Sequence, residues 1–140
     1  MISYIYHFSR LVPAVSCILV VEDDIEVQKV LVEFLRSLGH VVLPANCAEE
    51  ARALIAAEPV ELALIDCLMS GEQGSSLAEH TAGLSIPVIL TTGDPEYLAA
   101  LTGSPLPLLP KPFRLSDLQE LLAHALATGE ERPPAQRPPA

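Results

Sequence analysis

Cys17-Ile18-Leu19-Val20-Val21-Glu22-Asp23-Asp24 runs five apolar residues straight into three acids. Five residues are too few for a helix, and an unbroken, branched apolar run predicts a strand buried on both faces, as in a parallel sheet. The next segment changes period. Apolar residues at 27, 30, 31, 34, 35 and 38 have helical spacing over Ile25–Leu38, and Gly39 is placed to stop that helix. The same alternation continues along the chain. Val41-Val42-Leu43 reads as a strand, and Ala48–Ala57 as a helix ended by Pro59. Leu62-Ala63-Leu64-Ile65 then runs apolar up to Asp66. Gly71 and Gly74 mark a loop before a helix over Ser75–Ala82. Ile86–Leu90 is a strand closing on Thr91, Thr92 and Gly93. Pro95 suits the first turn of a short helix over Glu96–Leu101, Leu106–Leu109 is a Pro-flanked strand, and Leu115–Leu126 is a final amphipathic helix with Ser116 as its cap.

Five strands alternating with five helices predict one doubly wound α/β domain, because parallel neighbours need crossover connections. In such sheets ligands sit beyond the carboxyl ends of the strands, so the residues that follow each strand are where chemistry is expected.

The chain's 140 residues suffice for one domain, and 50% hydrophobic against 19% charged residues makes it globular. The net charge is 8 − 18 = −10, which disfavours phosphate backbones and anionic lipid; neither DNA nor membrane is an expected partner. Cys17, Cys47 and Cys67 lack the close spacing of structural zinc sites and suggest a reduced, cytoplasmic chain. The apolar run from Leu11 to Val21 is interrupted by Pro13, is too short to span a bilayer, and has no Lys or Arg before it until Arg10, so it does not read as a signal or anchor. The expected organisation is an N-terminal extension over 1–15, the α/β domain over 16–128, and a Pro-rich disordered tail over 129–140.

Four groups fall on the strand-end rim: Glu22-Asp23-Asp24, Asp66, Thr91-Thr92 and Lys111-Pro112-Phe113. Each has an ordinary explanation alone, since an acid after a strand often caps the next helix and a lone Lys is usually a solvated charge. Together they supply the parts of phosphoryl transfer. Crowded acids need a cation, and hard oxygen ligands suit Mg2+. Asp66 would be the nucleophile, Asp23 a direct metal ligand and Glu22 a ligand through water, with Lys111 and Thr92 on the phosphoryl oxygens.

From Ile18 to Ala127 the chain resembles the receiver domain of two-component response regulators. The resemblance rests on Val20-Val21-Glu22-Asp23-Asp24, Ile65-Asp66-Cys67-Leu68-Met69 with Gly74 eight positions after Asp66, Pro87 to Thr92, and Lys111-Pro112-Phe113. It implies a flavodoxin-like fold with strand order 2-1-3-4-5 and a cis peptide before Pro112. It further implies that Asp66 accepts a phosphoryl group from a histidine kinase or a histidine phosphotransfer protein, and that Mg2+ lies between Asp23, Asp66 and the backbone carbonyl of Leu68. Thr92 would follow the phosphate. Leu68 and Asp94 occupy positions that tune hydrolysis of the acyl phosphate, and an apolar Leu68 implies slow autodephosphorylation.

Two departures stand out. Met69-Ser70 replaces the usual Met-Pro, and Leu108 replaces the Tyr or Phe common at the switch position three residues before the lysine. Both features, with Pro87-Val88-Ile89-Leu90-Thr91-Thr92-Gly93, resemble the single-domain receivers nicknamed FAT GUY. The aromatic switch cannot operate in its usual form with Leu108. Cys67 reads as an inert buried thiol, and His7, His40, His80 and His124 share no ligand spacing. The expected function is a stand-alone phosphoacceptor whose output is a protein contact with an unidentified downstream partner. The alternative is a receiver-like binding module independent of phosphorylation. An aspartyl-phosphate enzyme is disfavoured, because such enzymes generally need a carboxylate at the position of Leu68.

Overall fold

Every residue of β1 (Cys17–Val21) is buried, as an inner strand with helices on both sides requires. The structure, a computed structural model, describes residues 15–69, 74–96 and 106–130. Residues 1–14, Ser70, Gly71, the expected short helix beyond Glu96 and the tail from 131 lie outside them. β2 (Val41–Ala45), β3 (Leu62–Asp66), β4 (Val88–Thr92) and β5 (Leu108–Pro110) complete a parallel sheet in the order β2-β1-β3-β4-β5. This is the expected doubly wound, flavodoxin-like arrangement. Four helices are described: α1 (Ile25–Ser37), α2 (Ala48–Ala57), α3 (Gly74–Gly83) and α4 (Leu115–Glu130).

The two faces follow the period-2 alternation of each strand. Leu19, Val21, Ala63, Ile65, Val88 and Leu90 pack with Ala48 and Ala51 of α2 and Leu77 and Ala78 of α3. Ile18, Val20, Leu62, Leu64 and Ile89 pack with Leu31, Val32 and Leu35 of α1 and Leu118, Leu122 and Ala125 of α4.

Gly39 does stop α1. At φ 95° it adopts the left-handed conformation that places its N–H on the Arg36 carbonyl and the His40 N–H on the Leu35 carbonyl, a Schellman ending. The cap of α4 differs from expectation. Ser116 lies inside the helix, whose first residue is Leu115; the Asp117 carboxylate instead reaches back to accept the Arg114 N–H at 3.4 Å, as the third residue of a capping box does. α4 also continues to Glu130, past the expected domain end at 128, because a glycine in a helix costs only about 1 kcal/mol and Gly129 alone does not break it.

Candidate functional site

β1, β3, β4 and β5 run parallel and end on one rim. Their register places Val21 beside Ile65, Asp66 beside Thr91, and Thr92 beside Pro110. The residues at or just beyond these ends are therefore neighbours although far apart in sequence.

Glu22 follows β1 directly, and its N–H donates to the Ala45 carbonyl of β2, which fixes it above the sheet. The side chain is buried. Its Oε2 accepts from Lys111 Nζ at 2.8 Å, and its Oε1 from the Asp24 N–H at 3.3 Å. Asp66 ends β3 and is also buried; Oδ2 accepts from Lys111 Nζ at 3.2 Å and Oδ1 from the Leu68 N–H at 3.1 Å. Lys111 is held by its own N–H on the Thr92 carbonyl at 2.7 Å, next to the cis Lys111-Pro112 peptide expected from the motif. Asp23 is the exposed member of the set. One carboxylate oxygen each from Glu22, Asp23 and Asp66 lie within 4.8 Å of one another.

The third acid of the triplet does different work. Asp24 caps α1, its Oδ1 accepting the N–H groups of Glu26 and Val27, so the ordinary helix-cap explanation holds for this acid and not for its two neighbours. Thr92 is buried, and its Oγ1 accepts the Asp94 N–H at 3.2 Å, while Asp94 Oδ1 accepts the Glu96 N–H at 2.8 Å. The Leu68 side chain is 44% exposed beside the site. Leu108 is only partly buried and packs against the α2/α3-side core, as do Met69 and Leu106.

The electrostatics follow from burial. Desolvation pushes the Glu22 carboxyl above its ordinary range; the Lys111 hydrogen bond opposes this and the nearby Asp66 charge adds to it. Burial disfavours the Lys111 charge, but the bond to Glu22 and the attraction of Asp66 outweigh it, so its pKa is raised and the ammonium is firmly held. The Cys67 thiol is pushed up to about 11 by burial and then by Asp66, which makes it the inert thiol expected.

Three carboxylates against one ammonium leave −3 + 1 = −2 at the rim. All the clustered acid ligands are hard oxygens, and one of the three acids is open to solvent. This donor set and charge fit Mg2+ and not a soft metal. Glu22, Asp23, Asp66 and Lys111 thus lie together, with the Leu68 N–H bonded to Asp66 and the Thr92 carbonyl to the Lys111 N–H. Two residues were not singled out as site components. Gln28 on α1 donates from Nε2 to the carbonyls of Glu22 and Ala45. Its signal was a polar residue inside the turn that opens α1. Gly74, read only as a loop and family mark, lies so close to the Asp66 carbonyl that an added Cβ would collide with it.

The response regulator receiver domain model matches residues 18–123. Nodulation protein W of Bradyrhizobium diazoefficiens is 30% identical over 127 residues, covering 87% of this chain and 56% of that protein. PetR of Rhodobacter capsulatus is 30% identical over 72% of this chain and 44% of its own length, so the chain spans about half the length of these curated relatives. Among solved structures, a CheY-like receiver domain protein from Methanospirillum hungatei superposes with a TM-score of 0.76 at 27% identity, covering 84% of this chain and 98% of the other. Response regulator protein TrrA of Thermotoga maritima, crystallised in complex with Mg(2+)-BeF, gives 0.72 at 25% identity over 79% and 99%. Among the described residues no helix is long and apolar enough to cross a membrane. With its sheet order, its rim of acids and lysine, and a family match over most of its length, this chain belongs to the response regulator receiver domains of two-component systems.

Proposed function

We propose that Asp66 is a phosphoacceptor, charged by a histidine kinase or a histidine phosphotransfer protein, and that the phosphorylated chain signals through a protein contact in the cytoplasm. The observation that carries this reading is the sharing of one ammonium, Lys111 Nζ, by Glu22 and Asp66 at 2.8 and 3.2 Å, with the Asp23 carboxylate in the same cluster.

In the transfer, an Asp66 carboxylate oxygen attacks the phosphorus of a phosphohistidine. The P–O bond forms as the P–N bond breaks, and the electron pair leaves with the imidazole. Lys111 already touches Asp66 Oδ2 and is placed to follow a phosphoryl oxygen carried on it. Glu22, Asp23, Asp66 and the Leu68 carbonyl would hold a divalent cation, which when bound would supply positive charge between an anionic phosphoryl group and the anionic nucleophile. The Thr92 hydroxyl, which accepts the Asp94 N–H, has its own proton to donate to a phosphoryl oxygen, which couples the site to β4 and the segment after it. The Leu68 side chain offers a hydrolytic water no polar atom, so the acyl phosphate persists. Leu108 replaces the inward-moving aromatic, and the coupling therefore runs through Thr92 and the aliphatic core against which Leu108 packs.

The test is intact mass after incubation with acetyl phosphate and Mg2+. A single phosphoryl adduct is expected, absent from Asp66→Asn and from a chelated control. No adduct from acetyl phosphate or from an active donor kinase would replace this reading with the phosphorylation-independent binding module.

A further inference from the structure

Gln28 is a buried amide on a helix whose other buried residues, Leu31, Val32 and Leu35, are all apolar. Its Nε2 carries two hydrogens and meets three oxygens: the Ala45 carbonyl at 3.0 Å, the Glu22 carbonyl at 3.1 Å and Asn46 Oδ1 at 2.9 Å. The Glu22 carbonyl belongs to the peptide unit that joins Glu22 to Asp23. Because that unit is planar, a hydrogen bond on its oxygen fixes the direction in which the chain enters Asp23. The Ala45 carbonyl also takes the Glu22 N–H, so one atom of β2 anchors both sides of Glu22. The Gln28 N–H closes the segment from beyond, on the Asp24 carbonyl at 2.9 Å. Asp23 therefore projects from a loop tied down before and after it.

We propose that Gln28 is a positioning residue for divalent cation binding, setting the Asp23 carboxylate against those of Glu22 and Asp66 by clamping the peptide plane between the two acids. This rests on the cation-assisted phosphoacceptor reading above. An apolar side chain of the same length would fill the same space; what the amide adds is donation to the acid-bearing loop.

The test uses the full chain and Mn2+ as a paramagnetic stand-in for Mg2+, with free Mn2+ followed by electron paramagnetic resonance. Gln28→Met keeps length and shape and removes both donors. Outer-shell partners of metal ligands typically govern 10–100-fold in affinity, so about ten-fold weaker Mn2+ binding is expected. Gln28→Arg returns several donors and should bind within about three-fold of wild type, with Gln28→Lys, a single flexible donor, between them. The intermediate variant also carries the comparison if Gln28→Met does not fold. Phosphorylation by acetyl phosphate should show the same shift in the Mg2+ concentration required, with the rate at saturating Mg2+ preserved. Mn2+ affinity unchanged in Gln28→Met, or equally weakened in all three variants, overturns the assignment. A wild-type chain that takes up no Mn2+ overturns the cation reading itself, a distinct result.

Discussion

At the amino-terminal edge of the sheet, the N–H groups of Ser16 and Cys17 are accepted by His40 Nδ1 at 3.1 Å and Glu61 Oε1 at 3.0 Å. At the carboxyl rim, Glu22 and Asp66 are held by a single ammonium. Both ends bring polar side chains to a strand terminus, but the base matches acceptors to backbone donors of its own chain, whereas the rim gathers more negative charge than its lysine can balance. The base is closed by hydrogen bonding. The rim carries an excess of negative charge that a cation would balance, and the proposed function draws on that excess. Two glycines repeat the contrast. Gly39, at the base, is needed for its torsion and has nothing within 4 Å of an added Cβ; Gly74, at the rim, is needed for space against the segment that carries Asp66.

The largest predicted effect breaks the rim. In Gly74→Ala the new Cβ would collide with the Asp66 carbonyl oxygen and lie 2.8 Å from Cys67 Cα, both backbone atoms that cannot rotate away. Urea unfolding should show a loss of more than about 4 kcal/mol or no folded protein. Gly39→Ala carries only the left-handed torsional penalty and should lose about 1–2 kcal/mol. Equal losses would remove the distinction between space and torsion. Next is Lys111→Met, which leaves Glu22 and Asp66 facing each other. Breaking a buried pair costs about 3–5 kcal/mol, and the partial exposure of Lys111 places this variant at or below the low end in the presence of chelator. Added Mg2+ should restore much of that stability by supplying the missing charge, while Glu61→Ala, at the base, gains no more from Mg2+ than wild type does. A cation-insensitive Lys111→Met would mean that the rim's charge excess binds no cation.

The buried strands, their parallel alternation with helices and the acids of the rim were legible because they depend on local patterns: short apolar runs, helical periods and residue types at strand ends; the strand order came from the family resemblance and not from those patterns. The division of labour within Glu22-Asp23-Asp24 was not legible, since an acid that caps a helix and one that faces a cation look alike until the direction of the chain after β1 is known. Ser116 was read as a cap for a similar reason. A serine before a helical run is a good signal, but Asp117 one residue later could satisfy the same end from inside the helix, and it does. Gln28 escaped notice because two of its three partners, on Glu22 and Ala45, are backbone carbonyls, and any residue type can present one. Sequence patterns carry side-chain chemistry well and backbone geometry poorly, and both Gln28 and Gly74 act on backbone.

The smallest effect sharpens the comparison through pH. Burial lowers the pKa of His40 below its ordinary value, with the Glu61 charge pulling weakly the other way. Its Nδ1 must stay unprotonated to accept the Ser16 N–H. The unfolded chain therefore binds this proton more readily than the folded one. The His40 contribution is complete above the unfolded value of about 6.5 and is lost as the pH falls from there through the folded value. Glu22 has the opposite sign: its raised pKa makes the folded chain the better proton acceptor, so mild acid relieves the crowded rim while it weakens the base. In chelator, the urea midpoints at about pH 7.5 and 5.5 separate these terms when wild type is compared with His40→Gln and Glu22→Gln. Of the acid-induced loss, His40→Gln should remove a part worth about 1 kcal/mol, the scale of one buried hydrogen bond. Glu22→Gln should lose the stabilising proton uptake that a raised carboxyl pKa gives the folded chain as the pH falls toward the ordinary carboxylate range. If His40→Gln left the pH dependence unchanged, the base would be indifferent to acid, and the contrast between a closed end and a charged one would rest on the rim alone.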